Sequence, residues 1–334
     1  MRNGAPCTPI VSAIVPSYNG AAYIRDCLRS VREQSFQELE IVVVDDGSDD
    51  DTRSIVAGEA ARDPRVRLVE HEGNRGIAAA RNTGIRESSG MYVGFLDQDD
   101  LWLPGKLDEQ LKVFAESPET VEAVFSDALM IDENGRSLGS CHREHIPRDV
   151  NSMSARERLE AFFLHNFIPI IALLVRRTCL DRIGLFDETI RSGVDDFELC
   201  VRLVGNVETQ YIDRPLAAHR VHRGNYSSDT ARLLADLPGV MENAVAEFPY
   251  LVDLIPRKRA LLHYRLARYH RDAGRFREAR ANLREAARAD PSWATPRRMM
   301  PLYALDRLGL GLLAARRVAR RALVRPGHHR RRPE

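Results

Sequence analysis

The chain has 334 residues, 44% of them hydrophobic and 29% charged, with a net charge of +1. This is the profile of a water-soluble globular protein, and it excludes a disordered, collagenous or integral-membrane chain. The length predicts two domains, or one large domain with an appendage.

The charge is unevenly placed. Eleven arginines over 297–334 face only Asp306 and Glu334, a net +9 that leaves −8 on residues 1–296. All basic residues are arginines except Lys106, Lys112 and Lys258, a bias that reads as compositional and assigns no partner. The cysteines Cys7, Cys27, Cys141, Cys179 and Cys200 are odd in number and at least twenty positions apart. That spacing fits neither a zinc knuckle nor a redox dithiol and predicts a reducing compartment. The apolar stretch over 10–15 is too short for a secretory signal, and the longest apolar run, over 167–175, is too short to span a bilayer.

Strands are predicted over 10–15, 40–44, 66–69, 92–96, 123–126 and 170–175, alternating with amphipathic helices. The helix over 22–33 aligns Ile24, Leu28 and Val31. The one over 52–61 places Ile55 and Val56 together. A third, opened by Pro104, aligns Leu107, Leu111 and Phe114. Such alternation implies an α/β domain with a mostly parallel sheet flanked by helices. From about Asp229 the pattern is only helical, punctuated by Pro238, Pro249, Pro256, Pro291, Pro296 and Pro301. The expected layout is an α/β domain over 1–228, a helical region over 229–296 and a basic segment over 297–334. Over 263–293 the pattern resembles one tetratricopeptide-type helix pair turning at Gly274, although an ordinary helical hairpin fits as well.

Chemistry gathers at strand ends. The first strand runs into Pro16-Ser17-Tyr18-Asn19-Gly20, a rigid turn with an aromatic ring where open α/β sheets bind ligands. The second ends in Asp45-Asp46-Gly47-Ser48-Asp49. There Asp45 is placed to accept hydrogen bonds from a base or ribose, and Asp46, Ser48 and Asp49 read as ligand-facing or as helix caps. Arg75 and Arg81 bracket a small-residue helix opening and offer guanidinium groups to phosphates or carboxylates. The fourth strand ends in Asp97-Gln98-Asp99-Asp100, a cluster of acids whose mutual repulsion a divalent cation bound to a diphosphate would relieve.

These motifs resemble, in order and spacing, the signature of family-2 glycosyltransferases with the GT-A fold. The resemblance continues through Gly184-Leu185-Phe186-Asp187-Glu188 and Asp195-Asp196-Phe197-Glu198-Leu199, covering roughly residues 8–225. It implies that Pro16, Tyr18, Asn19, Asp45, Asp46, Arg75, Arg81, Asp97 and Gln98 hold a nucleotide-sugar. Asp45 would face the base and Asp97 the ribose, with Asp99, joined by Asp97, on the Mn²⁺ or Mg²⁺ that bridges the diphosphate. Gln98 is bulkier than the small residue often found between the two acids. Asp196 matches the general base of an inverting transfer, and Asp195 stands where the family usually has Glu. His222 is a further metal or phosphate ligand, or else structural.

The implied reaction moves one sugar, preferentially from a UDP-sugar, to a glycan or lipid-linked acceptor in cell-surface polysaccharide synthesis. A polyprenyl-phosphate acceptor is a variant of it, and an inactive nucleotide-sugar binder acting through its helical C-terminus is the rival. The Gln-x-x-Arg-Trp element of processive synthases is missing, since Trp102 and Trp293 are the only tryptophans. There is no phosphate-loop motif or His-Glu-x-x-His pair, and the glycines over 309–314 follow no strand. The segment over 301–325 sets Leu302, Leu305, Leu308, Leu312 and Leu313 against Arg307, Arg316, Arg317, Arg320 and Arg321. It reads as a helix lying on an anionic membrane surface, or as a surface helix followed by a disordered tail. Charge without interleaved aromatics does not point to nucleic acid. The expected location is the cytoplasm, free or on the inner face of the membrane.

Overall fold

In the computed structural model the described residues are 8–222 and 230–292. The basic segment over 297–334, its expected membrane helix over 301–325, Trp293 and Cys7 lie outside them. The chain divides into two compact units, Met1–Val252 and Asp253–Glu334.

In the first unit the β-branched run at the N-terminus forms β1 (Val11–Ser17), buried at every position. It lies parallel between β2 (Leu39–Asp45), also wholly buried, and β4 (Tyr92–Phe95). Strands covered on both faces need continuous apolar runs rather than alternation, and Ile41-Val42-Val43-Val44 is one. The edge strand β3 (Val66–Glu70) pairs parallel with β2. Beyond β4 the sheet becomes mixed. β8 (Leu173–Arg176) runs antiparallel between β4 and β6 (Val121–Ile131), and β9 (Glu208–Arg220) lies parallel to β6 and antiparallel to the short β5 (Leu101–Trp102). The sheet order is β3-β2-β1-β4-β8-β6-β9-β5, with β7 (Ser137–Ser140) paired to β6. The expected parallel sheet is therefore its β3-to-β4 half. The apolar run over 170–175 divides into a single 3₁₀ turn, Ile170–Ala172, and β8.

Helices close the faces. α1 (Ile24–Arg32) buries Ile24, Cys27, Leu28 and Val31, and α2 (Thr52–Ala60) buries Thr52, Val56 and Glu59. α3 (Ile77–Glu87) lies directly on β1: a Cβ at Gly84 would come within 2.5 Å of Ile14 Cγ2. That close seat explains its Ala-Ala-Ala opening and brings Arg81 to the end of the sheet. α4 (Lys106–Glu116) follows β5, α5 (Ala155–His165) opens with a Ser154–Glu157 capping box, and α6 (Arg177–Ile183) follows β8. α7 (Asp195–Asn206) precedes β9, and α8 (Thr230–Glu247) follows it.

Two arginines bind carbonyls where chain segments end. Arg177 donates to the Gly90 and Ile85 carbonyls at 2.7 and 2.9 Å and to Ser88 Oγ at 2.8 Å. Arg202 donates to the Ile183, Gly184 and Leu185 carbonyls at 2.6, 3.1 and 2.8 Å.

In the second unit α9 (Ile255–Asp272) and α10 (Phe276–Ala289) form a hairpin. Its turn holds Gly274 at φ +75°, and Ala267, Leu283 and Ala286 form its core. Cys27, Cys141, Cys179 and Cys200 are free thiols. Among the described residues no helix is long and apolar enough to cross a membrane.

Candidate active site

The site lies where β1, β2 and β4 end, the edge at which open α/β sheets receive ligands. Ser17 is in register with Asp45, so the two strands deliver their turns side by side. After Pro16 the chain exposes Tyr18, 42% accessible, and turns through Asn19 at φ +50°. The Asn19 N–H donates to Ser48 Oγ and its side-chain oxygen accepts from the Asp49 N–H, both at 2.9 Å. Ser48 and Asp49 thus fasten the Tyr18 turn.

Asp45 is fully buried. Its Oδ2 accepts from the Ser48 N–H at 3.0 Å and from Arg53 Nε at 2.7 Å. Its Oδ1 is buried and has no hydrogen-bond partner among the described residues. Asp46 differs: its oxygens accept from the Arg75 and Gly76 N–H groups at 2.9 and 2.8 Å, and it pairs with His71 Nδ1 at 2.7 Å. The carboxylate is thereby committed to the loop that opens α3. Arg75 is exposed and faces Glu188 at 3.5 Å.

Arg81 is the buried centre of the site. It donates from Nη1 to Asp195 Oδ2 and from Nη2 to Asp97 Oδ1, each at 2.7 Å, and its guanidinium carbon stands 5.2 Å from the Phe186 ring centroid. Burial favours the neutral form, but Asp97, Asp195 and Asp196 outweigh it and hold Arg81 above its ordinary range. Its neighbour Asn82 fixes the approach of the following loop. Asn82 accepts from the Phe186 N–H at 3.0 Å and donates to the Phe186 carbonyl and to Glu188 at 2.9 Å. Thus the segments around Arg81 and Phe186, separate in sequence, form one structure.

Asp195 and Asp196 open α7, where the helix dipole favours negative charge. Asp195 is almost fully buried, and burial raises its pKa against the pull of Arg81. Asp196 is pushed up to about 7, first by burial and then by the Asp195 carboxylate. The Phe197 N–H donates to it at 2.6 Å. Asp236 on α8 accepts from the Arg191 and Ser192 N–H groups at 2.8 Å, setting the chain just ahead of these two acids.

Of the three residues expected around a metal, Asp99 and His222 meet, with Nε2 2.8 Å from Oδ2, while Asp97 is engaged by Arg81. Among the described residues no group of three or more His, Cys, Asp or Glu side chains is placed to hold an ion. A carboxylate and an imidazole fit a divalent cation that completes its shell with ligand oxygens. Gln98 faces neither acid: its amide bonds to the Tyr18 main chain.

The sequence marks Asp100 only as a member of the acid cluster. It is buried, accepts from the Arg220 N–H at 2.8 Å and stands 3.1 Å from His219 Nδ1. Burial pulls His219 down, but Asp100 and Asp99 outweigh it and push it up to about 9. The third acid of the run was the visible signal. Its partner strand β9 had not been predicted.

The profile of glycosyl transferase family 2 matches residues 12–179. Among curated relatives, an uncharacterized glycosyltransferase of Rickettsia typhi is 30% identical over 64% of this chain and 65% of its own length. The putative teichuronic acid biosynthesis glycosyltransferase TuaG of Bacillus subtilis is 44% identical over 32% of this chain and 43% of its own. Chondroitin synthase of Escherichia coli is 30% identical over 66% and 30%. The chain thus spans less than two thirds of each of these relatives. Among solved structures, the mannosyltransferase PcManGT of Pyrobaculum calidifontis, in complex with GDP-Man and Mn²⁺, superposes with a TM-score of 0.58. It is 24% identical over 91% of this chain and 80% of that one. TarS 1–349 of S. aureus in complex with UDP gives 0.52 at 18% identity, over 85% and 92%. At these identities the structural likeness extends to the fold. The profile match takes in β1 to β8, half of the chain, and on it the chain belongs to glycosyl transferase family 2, with the GT-A fold.

Proposed function

We propose that the chain is an inverting, metal-dependent glycosyltransferase. It moves one sugar from a nucleotide-sugar, preferentially a UDP-sugar, to a hydroxyl of a glycan or lipid-linked acceptor in cell-surface polysaccharide synthesis. The observation that carries this reading is Arg81: one buried cation binds Asp97, at the end of β4, and Asp195, beside Asp196. The ribose-side acid and the base are thereby held in one frame. The names of TuaG and chondroitin synthase, and the nucleotides bound to PcManGT and TarS, favour the same reading.

Asp45 Oδ1 is an acceptor left open in a buried place, which is costly unless a ligand supplies a donor. The ring N–H of uracil or guanine suits it, whereas cytosine carries no hydrogen at the equivalent nitrogen. The exposed Tyr18 ring supplies a face for the base, and the Asp46-fixed loop carries Arg75. Asp99 and His222 would hold the divalent cation, which neutralises charge collecting on the departing diphosphate. Asp196 takes the proton of the acceptor hydroxyl as that oxygen bonds to the anomeric carbon. The carbon–oxygen bond to the diphosphate breaks on the opposite face, its electron pair leaves with the nucleotide, and configuration inverts. A neighbouring Asp195 and burial keep Asp196 basic enough for the task.

Thermal-shift titration with UDP, GDP, CDP and dTDP, each with and without Mn²⁺, tests the donor side. A ligand at about 100 times its dissociation constant contributes roughly 2.7 kcal/mol. A shift for UDP that grows with Mn²⁺ is expected; no shift with any nucleotide overturns the reading.

A further inference from the structure

Three consecutive side chains after β4 go to three different elements. Asp97 goes to Arg81 on α3, Gln98 to the turn after β1, and Asp99 to His222 after β9. Gln98 spends its amide on main chain. The Tyr18 N–H donates to Oε1 and Nε2 donates to the Tyr18 carbonyl, both at 2.9 Å, while Ser17 Oγ donates to Oε1 at 2.6 Å. This reproduces the two-bond exchange of an antiparallel residue pair, with a side-chain amide in place of a strand. The main-chain ladder between β1 and β4 has already ended, with Ile14 opposite Phe95 and the Leu96 N–H on the Ile14 carbonyl. Beyond that rung the two segments are joined by Gln98.

Gly20 is fitted to this amide. A Cβ there would stand 2.0 Å from Gln98 Oε1 and 2.5 Å from its Cδ. On its other side the Gly20 N–H is fixed to Thr52 Oγ1 at 2.8 Å, so the turn cannot retreat without breaking a second anchor.

We propose that Gln98 is a positioning residue, a clasp that fixes the Tyr18 turn against the acids at the end of β4 and so sets the affinity of the donor nucleotide. The role rests on the donor-site reading above. Its amide touches the Ser17–Tyr18 turn, not ligand. The residue must be neutral and long: glutamate would add a fourth carboxylate to the run and lose the donor to the Tyr18 carbonyl, and asparagine is one methylene short.

The test is a double-mutant cycle with two readouts, UDP binding in the presence of Mn²⁺ and hydrogen exchange of the Tyr18 amide. Gln98→Ala is expected to weaken UDP binding about tenfold, as for two or three lost hydrogen bonds, and to release the Tyr18 amide to exchange. Gly20→Ala displaces the amide and should reproduce both effects. Combined, the two substitutions should be no worse than either alone, because the clash disappears with the side chain. In a transfer assay the Gln98→Ala loss should fall on the KM for donor, with kcat within twofold. Additive effects, or a released amide with unchanged UDP affinity, overturn the proposal. A wild-type protein that binds no nucleotide, while Gln98→Ala still releases the Tyr18 amide, overturns the donor-site reading and this role with it, leaving only a turn anchor.

Discussion

Arg81 and Asp195, 114 residues apart in the chain, meet at 2.7 Å with their side chains 3% and 2% exposed. α3 is thereby fastened to the start of α7, and the same guanidinium reaches Asp97. Removing one partner of a buried ion pair strands the other charge, at a cost of about 3–5 kcal/mol. Arg81→Ala should therefore lower unfolding stability by that amount at pH 7, measured by urea denaturation, and abolish transfer. Arg81→Lys should recover only part of the loss, because an ammonium lacks the fork that serves two carboxylates at once. A loss below about 1 kcal/mol for Arg81→Ala would show the bridge to be dispensable.

As the proposed base, Asp196 ties activity to pH and sets it against stability. Its folded pKa of about 7 stands above the ordinary 3.8, so ionising it weighs against the fold. The penalty is absent below about pH 4, grows as pH rises towards 7 and is complete above it. Asp196→Asn should raise stability at pH 8 by about 1–3 kcal/mol, leave it unchanged at pH 4 and abolish transfer without weakening nucleotide binding. In the wild type the rate should fall as pH drops below 7. Equal activity in the variant would sink the base assignment.

Asp99 and His222 are paired at 2.8 Å. Chelation should remove activity, and Mn²⁺ should restore it better than Mg²⁺, which takes imidazole less readily. Asp99→Ala and His222→Ala should each abolish the Mn²⁺-dependent tightening of UDP, read by calorimetry. If tightening persists in both, the ion is held elsewhere.

The open oxygen of Asp45 makes a base-exchange experiment possible. Asp45→Asn can keep an oxygen on the Ser48 N–H and Arg53 while presenting an NH₂ group where the carboxylate oxygen stood. UDP binding should weaken about 10- to 100-fold, and CDP, whose N3 is an acceptor, should gain relative to UDP. An unchanged ratio of the two affinities would place the base away from Asp45.

Much of the β3-to-β4 half of the sheet was legible because its central strands are doubly covered and written as unbroken apolar runs, each ending in a polar motif. Val42-Val43-Val44-Asp45 is one such sentence. What pairs with what was less visible. β9 carries Asp213, Arg214 and Pro215 in its middle and meets β6 across two register shifts, so neither alternation nor an apolar run marks it. Without β9 there was no partner for Asp100 and no reason to see His219 as charged. Asp46 looked like a ligand because strand-end acids often are. Its use on the Arg75 and Gly76 amides depends on a loop shape that Gly76, at φ +93°, permits. Gln98 was misleading for the opposite reason: its bulk stood out, but the Tyr18 main chain that it reaches lies 80 residues away.

The arginine excess looked like mere composition, and at many surface positions nothing distinguishes it from that. Arg177 and Arg202 are another matter, since each guanidinium fans across three oxygens fixed by the surrounding chain. An ammonium is a compact charge on a flexible stem and cannot cover such a fan in one posture. Wholesale lysine recoding, a common route to better solubility or crosslinking, would thus be harmless over much of the surface and damaging at these two forks. They are places where genetic drift between two like-charged residues is closed.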